Sequence, residues 1–126
     1  MRLVVLSAAF ATLMVSACDA ASPPAVTLLG AGGKSCGSWT QDRRSNADIA
    51  FGDEQWLLGY VSAANAWYLS GTLGDVLKNT DSAGLAVWVD NYCANHPLDM
   101  VDDAAVELVT YLMKKRAFEI AATPRK

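Results

Sequence analysis

Histidine occurs once in the 126 residues, at His96, and cysteine only at Cys18, Cys36 and Cys93. A single imidazole excludes a histidine-rich metal centre and leaves acid–base chemistry without its commonest base. Basic clusters are scarce too. The formal net charge is −3 at pH 7, and between residues 36 and 118 only Arg43-Arg44 and Lys114-Lys115-Arg116 group together. Phosphate binding needs a basic patch, so no nucleic-acid partner is expected. No stretch alternates with period two for long enough to read as a strand, which excludes a sheet-based fold.

What is present begins with export. "MRLVVLSAAFATLMVSACDA" sets Arg2 before fifteen uncharged residues, Leu3 to Ala17. That is short of the roughly 20 residues of a membrane-spanning helix, and small residues come next. Residues 1–17 therefore read as a secretory signal peptide. Val15-Ser16-Ala17-Cys18 resembles the bacterial lipobox, whose cysteine becomes the lipidated first residue. The same residues also suit ordinary cleavage, with Cys18 lost. In either case Cys36 and Cys93 remain as an even pair, and an oxidising compartment favours a disulfide between them. Closing so long a loop is worth roughly 4 kcal/mol, a large share of a small domain's stability.

Residues 18–35, with Pro23-Pro24 and Gly30, Gly32 and Gly33, read as a flexible linker. Residues 36–118 read as a helical domain and 119–126 as a tail. The segment Cys36 to Phe51 suggests one short helical turn, with Trp39 near the disulfide. A helix is expected from Asp53 to about Leu69. Trp56, Tyr60, Ala63 and Trp67 form one apolar row, and Leu57, Val61, Ala64 and Tyr68 a second. Asp53 and Glu54 suit its positive end, and Ser70-Gly71 its stop. "TLGDVLKNT" suggests a turn. Helices are then expected from Ser82 to Ala94 and from Met100 to Arg116. Asp99 is expected as N-cap of the last, Asp102 and Asp103 as its dipole partners, and Lys114 to Arg116 as its end. The fold expected is all-α, three to four helices stapled by one disulfide.

Two motifs invite catalytic or metal readings. "VTLLGAGGKS" has the Gly-Lys-Ser of a phosphate loop, but Leu28 occupies the position of its first glycine. Cys93, His96, Asp99 and Asp102 stand three apart, a spacing that would suit metal ligands on one helix. A disulfide removes Cys93 from that set, and Pro97 turns His96 out of helical geometry. Asp102-Asp103 and Asp53-Glu54 are neighbours in sequence, so each pair points apart by about 100°. No metal, no cofactor and no catalytic residue is expected. The aromatic rows read mainly as core, with Trp67 and Tyr68 the residues expected at a partner surface.

"SCGSW", "WLLGYVSAANAW" and "WVDNYCANHPLDMVDDAAVELVTYL" together resemble small exported helical proteins of proteobacteria, among them the HdeA/HdeB-like acid-stress chaperones. The last stretch is also similar to the Tai-type immunity proteins of type VI secretion. The first resemblance implies a periplasmic chaperone for unfolded client proteins, a homodimer at neutral pH that opens in acid. Asp53, Asp99, Asp102 and Asp103 would then be pH-sensitive helix caps. The second implies one specific enzyme, a peptidoglycan-degrading effector, as partner. Both imply a protein-binding role, and membrane attachment is expected only through a lipidated Cys18, which the lipobox suggests and the chaperone resemblance does not.

Overall fold

The computed structural model describes residues 26–123. The expected signal peptide, Cys18, the first part of the linker and the last three residues of the tail lie outside them. The described residues form an all-α domain with four helices of ten residues or more: α1 (Cys36–Ser45), α2 (Ala47–Ala64), α4 (Ser82–Asn95) and α5 (Val101–Ala122). A five-residue π turn (Asn65–Leu69) and the short α3 (Ser70–Leu73) continue α2. The Cys36–Cys93 disulfide joins the first residue of α1 to α4.

The linker reading fails from Gly30 onward. Gly30–Gly33 forms a 3-10 turn with Ala31 and Gly32 buried. The turn lies on the Trp56 ring, where a Cβ added to Gly32 would come within 2.4 Å of Trp56 Cζ2. Only glycine backbone approaches an indole this closely. The chain then pairs with the α4–α5 corner. Val101 N–H donates to Lys34 O at 2.8 Å, Cys36 N–H to Asp99 O at 2.8 Å, and Gly37 N–H to Pro97 O at 3.0 Å. A glycine-rich composition suggested freedom, but its use here is close contact.

α1 is a full helix rather than a single turn. Ser35 Oγ accepts the Ser38 N–H, and Asn46 ends α1 while its own Oδ1 accepts the Ile49 N–H of α2 at 3.2 Å. This places the start of α2 six residues before the expected one. Asp53 therefore lies inside the helix and caps nothing. Gly71 does not stop the helix either: Gly74, at φ +68°, ends α3. At the other end of the chain, α5 continues past Arg116 through "AFEIAA" to Ala122, into the expected tail. Arg116 does not close the helix. Its Nε donates to Leu73 O at 3.2 Å and so satisfies the end of α3.

The core gathers Trp39, Leu57, Val61, Val89, Val101, Leu108 and Leu112, with both bridged cysteines among them. Most expected core aromatics, including Trp56, Tyr60, Trp88 and Tyr92, are only partly buried and pack around its edge. The π turn selects the residue that enters the core after Val61. Regular helical spacing would carry Tyr68 inward, seven residues on. A π turn holds more residues per turn, so Leu69 enters the core instead and Tyr68 rotates outward. Asn65 supports the turn: its Oδ1 accepts the Val76 N–H at 3.0 Å and its Nδ2 donates to Asp75 Oδ1 at 2.9 Å.

Replacing Gly32 by alanine drives a methyl group into Trp56 and is expected to cost about 1–3 kcal/mol. Gly59, inside α2, has nothing within 4 Å of an added Cβ, and its replacement by alanine should add about 0.5–1 kcal/mol through helix propensity. Urea midpoints moving in opposite directions would bear out both placements; equal midpoints would show that the glycine turn does not seat on Trp56.

Candidate functional site

The corner Asn91–Ala105 is a helix–turn–helix joint. Cys93 is buried in the disulfide. His96 is exposed, with Nδ1 2.9 Å from Tyr92 O and its ring stacked on Tyr92 at 4.3 Å between centroids. Asp99 does not cap α5. Its carboxylate accepts the Tyr92 hydroxyl at 2.8 Å, and the cap position falls to Met100, whose N–H donates to Asp103 Oδ2 at 3.0 Å. Asp102 and Asp103 do occupy the first turn of α5, where the helix dipole favours acids. Among the described residues, no three His, Cys, Asp or Glu side chains form a group that could hold a metal ion.

Two polar clasps tie the helices together. In the first, Lys34 Nζ donates to Asp53 Oδ1 and Oδ2 at 2.8 and 2.7 Å and to Asp42 Oδ2 at 2.9 Å. Asp53 is buried, so the ammonium compensates a carboxylate that would otherwise be costly to desolvate. Burial alone would lower the Lys34 pKa. The hydrogen bonds and charges of Asp53 and Asp42 outweigh it, and the pKa stands above the ordinary lysine value. In the second clasp Asp90 is the hub. It accepts Trp39 Nε1–H at 2.7 Å and both Nε and Nη2 of Arg43. Arg43 also pairs with Glu54 and lies 5.9 Å from the Trp39 ring centroid, so one guanidinium connects α1, α2 and α4.

The clasps share a chemical property. Among the described residues, every side chain–side chain hydrogen bond spanning more than four positions accepts at an Asp carboxylate: Asp42, Asp53, Asp75, Asp90 or Asp99. The acid-sensitive set expected from sequence thus changes in membership and in role. Asp53 and Asp99 act as tertiary acceptors rather than caps, and Asp42 and Asp90 join them. Asp90 was legible, because it is the only charged residue between Ser82 and Asn95. A lone charge in an apolar helix needs a partner. Lys34 carried no such signal.

Trp67 and Tyr68 are 83% and 81% exposed, side by side on the π turn. A second aromatic feature runs along the seam of α4 and α5. Tyr111, Trp88, Tyr92 and His96 form a ladder with successive centroids 5.9, 5.8 and 4.3 Å apart. A groove of about 370 Å³ opens at one end, among Tyr92, Asp99, Asp103, Val106 and Glu107. Another of about 250 Å³ opens at the other, over Leu85, Trp88, Leu108 and Tyr111. Across residues 26–123, no helix is long and apolar enough to cross a membrane.

No family model, curated protein or solved structure matches this chain. The functional reading therefore rests on the clasps, the grooves and the exposed aromatic rings.

Tyr92 yields a direct test of the corner. Its hydrogen bond to Asp99, then burial, then the charges of Asp99, Asp103 and Glu107 push its pKa from 10.0 up to about 12. A raised pKa means that the protonated phenol contributes stability below pH 10, and that this is lost as pH rises toward about 12. Melting temperatures measured across that window should fall less steeply in Tyr92→Phe than in the parent. Phenolate absorbance should lose its latest-titrating tyrosine in the same variant. Superimposable profiles would disprove the Tyr92–Asp99 bond.

Proposed function

We propose that this protein is an exported, non-enzymatic protein-binding protein, an HdeA-like periplasmic stress chaperone whose fold loosens in acid. One observation carries the reading: among the described residues, the side chain–side chain hydrogen bonds spanning more than four positions accept at carboxylates. Strong acid removes the anionic acceptors of the clasps, while Lys34 and Arg43 keep their charge and lose their partners. With the leader removed, neutralising all 13 acids leaves 9 Lys and Arg plus His96, a net charge of about +10. Self-repulsion then adds to the lost ion pairs. The disulfide is indifferent to protons and would keep α1 beside α4 in the opened chain. The surface uncovered would include Trp39 and Trp56, which the clasps and the glycine turn cover at neutral pH.

A second reading, an immunity protein or inhibitor bound to one peptidoglycan-degrading enzyme, is favoured by Trp67 and Tyr68. They stand exposed on a supported turn without any need for acid. A rigid aromatic pair is the kind of anchor that specific interfaces use.

The two readings separate in one assay. A chaperone should suppress aggregation of an acid-sensitive client at about pH 2–3 and there bind a dye specific for exposed apolar surface. Asp90→Asn keeps the hub's shape without its charge, and should shift the onset of opening toward neutral pH. A chain that stays folded in acid with no holdase effect would rule out the chaperone role and leave the single-partner reading.

A further inference from the structure

The two grooves on the α4/α5 seam belong to one surface. Trp88 and Tyr92 stand at i, i+4 on α4 with His96 just past its end, and Asp103, Glu107, Tyr111 and Lys115 succeed each other at i, i+4 on α5. Positions four apart share a helix face. The contact of Trp88 with Tyr111, and the shared groove of Tyr92 with Asp103 and Glu107, show that the two stripes run antiparallel beside each other. The seam thus has two ends of different character. At one, Asp99, Asp103 and Glu107 surround the edge of Tyr92 and the Val106 side chain. None of these three carboxylates has a basic side chain within ion-pair distance among the described residues, whose ion pairs all use other acids. Their field is felt by Tyr92, since the charges of all three help to raise its pKa. At the other end, Leu85, Leu108 and Leu112 floor a groove walled by Trp88 and Tyr111, and Tyr111 is 49% exposed.

We infer that the α4/α5 seam docks a segment of a partner protein that carries an arginine or lysine and, about 10 Å further along, a bulky aliphatic or aromatic residue. The spacing comes from α5, on which the two groove centres lie roughly six to seven residues apart at about 1.5 Å each. Charge complementarity selects the cation. Asp99 accepts the Tyr92 hydroxyl and Asp103 the Met100 N–H, but none of the three carboxylates has a cationic partner among the described residues. Their negative charge repels an acidic segment, and Val106 with the Tyr92 edge gives the stem of a long cationic side chain an apolar wall. A guanidinium fits best, because it can bridge Asp103 and Glu107. An extended segment covers about 10 Å in three residues. The pattern recognised is therefore a basic residue with an apolar one three positions later, or the reverse order. This surface is separate from Trp67 and Tyr68, which lie on the turn after α2.

The inference rests on the protein-binding reading, but it concerns the closed fold at neutral pH. A probe titrated at pH 7 tests it without opening the chain, so its failure leaves the acid-holdase assay untouched. The probe is the blocked peptide Gly-Arg-Gly-Gly-Leu-Gly, monitored through backbone amide shifts at low salt. Shifts should gather at Tyr92, Glu107, Tyr111 and Lys115. Exchanging the peptide's arginine for glutamate should weaken binding about tenfold or more, and raised salt should weaken it too. Glu107→Lys, at an exposed position with no hydrogen bond to lose, should have the same effect as the peptide exchange. Absence of shifts up to roughly millimolar peptide, shifts centred on Trp67 and Tyr68, or seam binding indifferent to the charge exchange would each overturn the inference. The peptide exchange needs no protein variant, so the outcome does not depend on one folding.

Discussion

The contact on which the rest of the domain depends is the pairing of residues 34–37 with residues 97–101. The Cys36–Cys93 bridge holds the first turn of α1 against the end of α4, and three backbone hydrogen bonds bind the flanking chain to the turn before α5. Without them, α1 would be a ten-residue helix of low hydrophobicity with little reason to stay in place, since helices so short are marginal alone. With them, Trp39 is delivered to the centre of the core, and Ser35 and Met100 align so that both helices start from one fixed point. The bridge spans 57 residues of sequence, so it constrains the open chain as well as the closed one.

Around this fixed point the long-range side chain–side chain hydrogen bonds of the described residues share one kind of acceptor, a carboxylate. Apolar packing supplies most of the stability, as in any small domain, but the relative placement of α1, α2 and α4 is completed by carboxylates facing Lys34, Arg43 and Trp39. Such contacts are directional and close-range, and each depends on the charge of a carboxylate. The covalent and the ionic restraints therefore differ in what removes them, one yielding to reduction and the other to acid. The closed state is thus held by two kinds of restraint that respond to different chemistry.

The surface is not uniform either. The π turn trades Tyr68 for Leu69 in the core and leaves an indole and a phenol in solvent, while the α4/α5 seam carries an aromatic ladder with acids at one end. Both arrangements serve the core, through Leu69 and through the partly buried Trp88 and Tyr92, yet each leaves aromatic surface in solvent. The two patches differ in character: the rings at the turn are almost fully exposed, and those at the seam are partly buried beside Asp99, Asp103 and Glu107.

The helical character, the helices begun by Asp81 and Met100, the break at Pro97 and the Cys36–Cys93 pair were legible in the sequence, because periodicity, caps and cysteine parity are local or countable properties. Asn46 was a legible cap as well, and neglecting it makes the expected α2 too short. Other features had no local signal. The glycine turn reads as linker until Trp56 lies against it, Asp53 and Asp99 read as caps until Lys34 and Tyr92 reach them, and Tyr68 reads as core until the π turn rotates it out. In each case the deciding partner lies seven or more residues away, or the backbone departs from 3.6 residues per turn to satisfy packing elsewhere. Sequence alone determined that the domain is helical, where the break between α4 and α5 falls, and which cysteines pair. Tertiary structure alone decided which carboxylates hold the helices together and which aromatics face solvent, since both depend on neighbours that only the folded chain brings together.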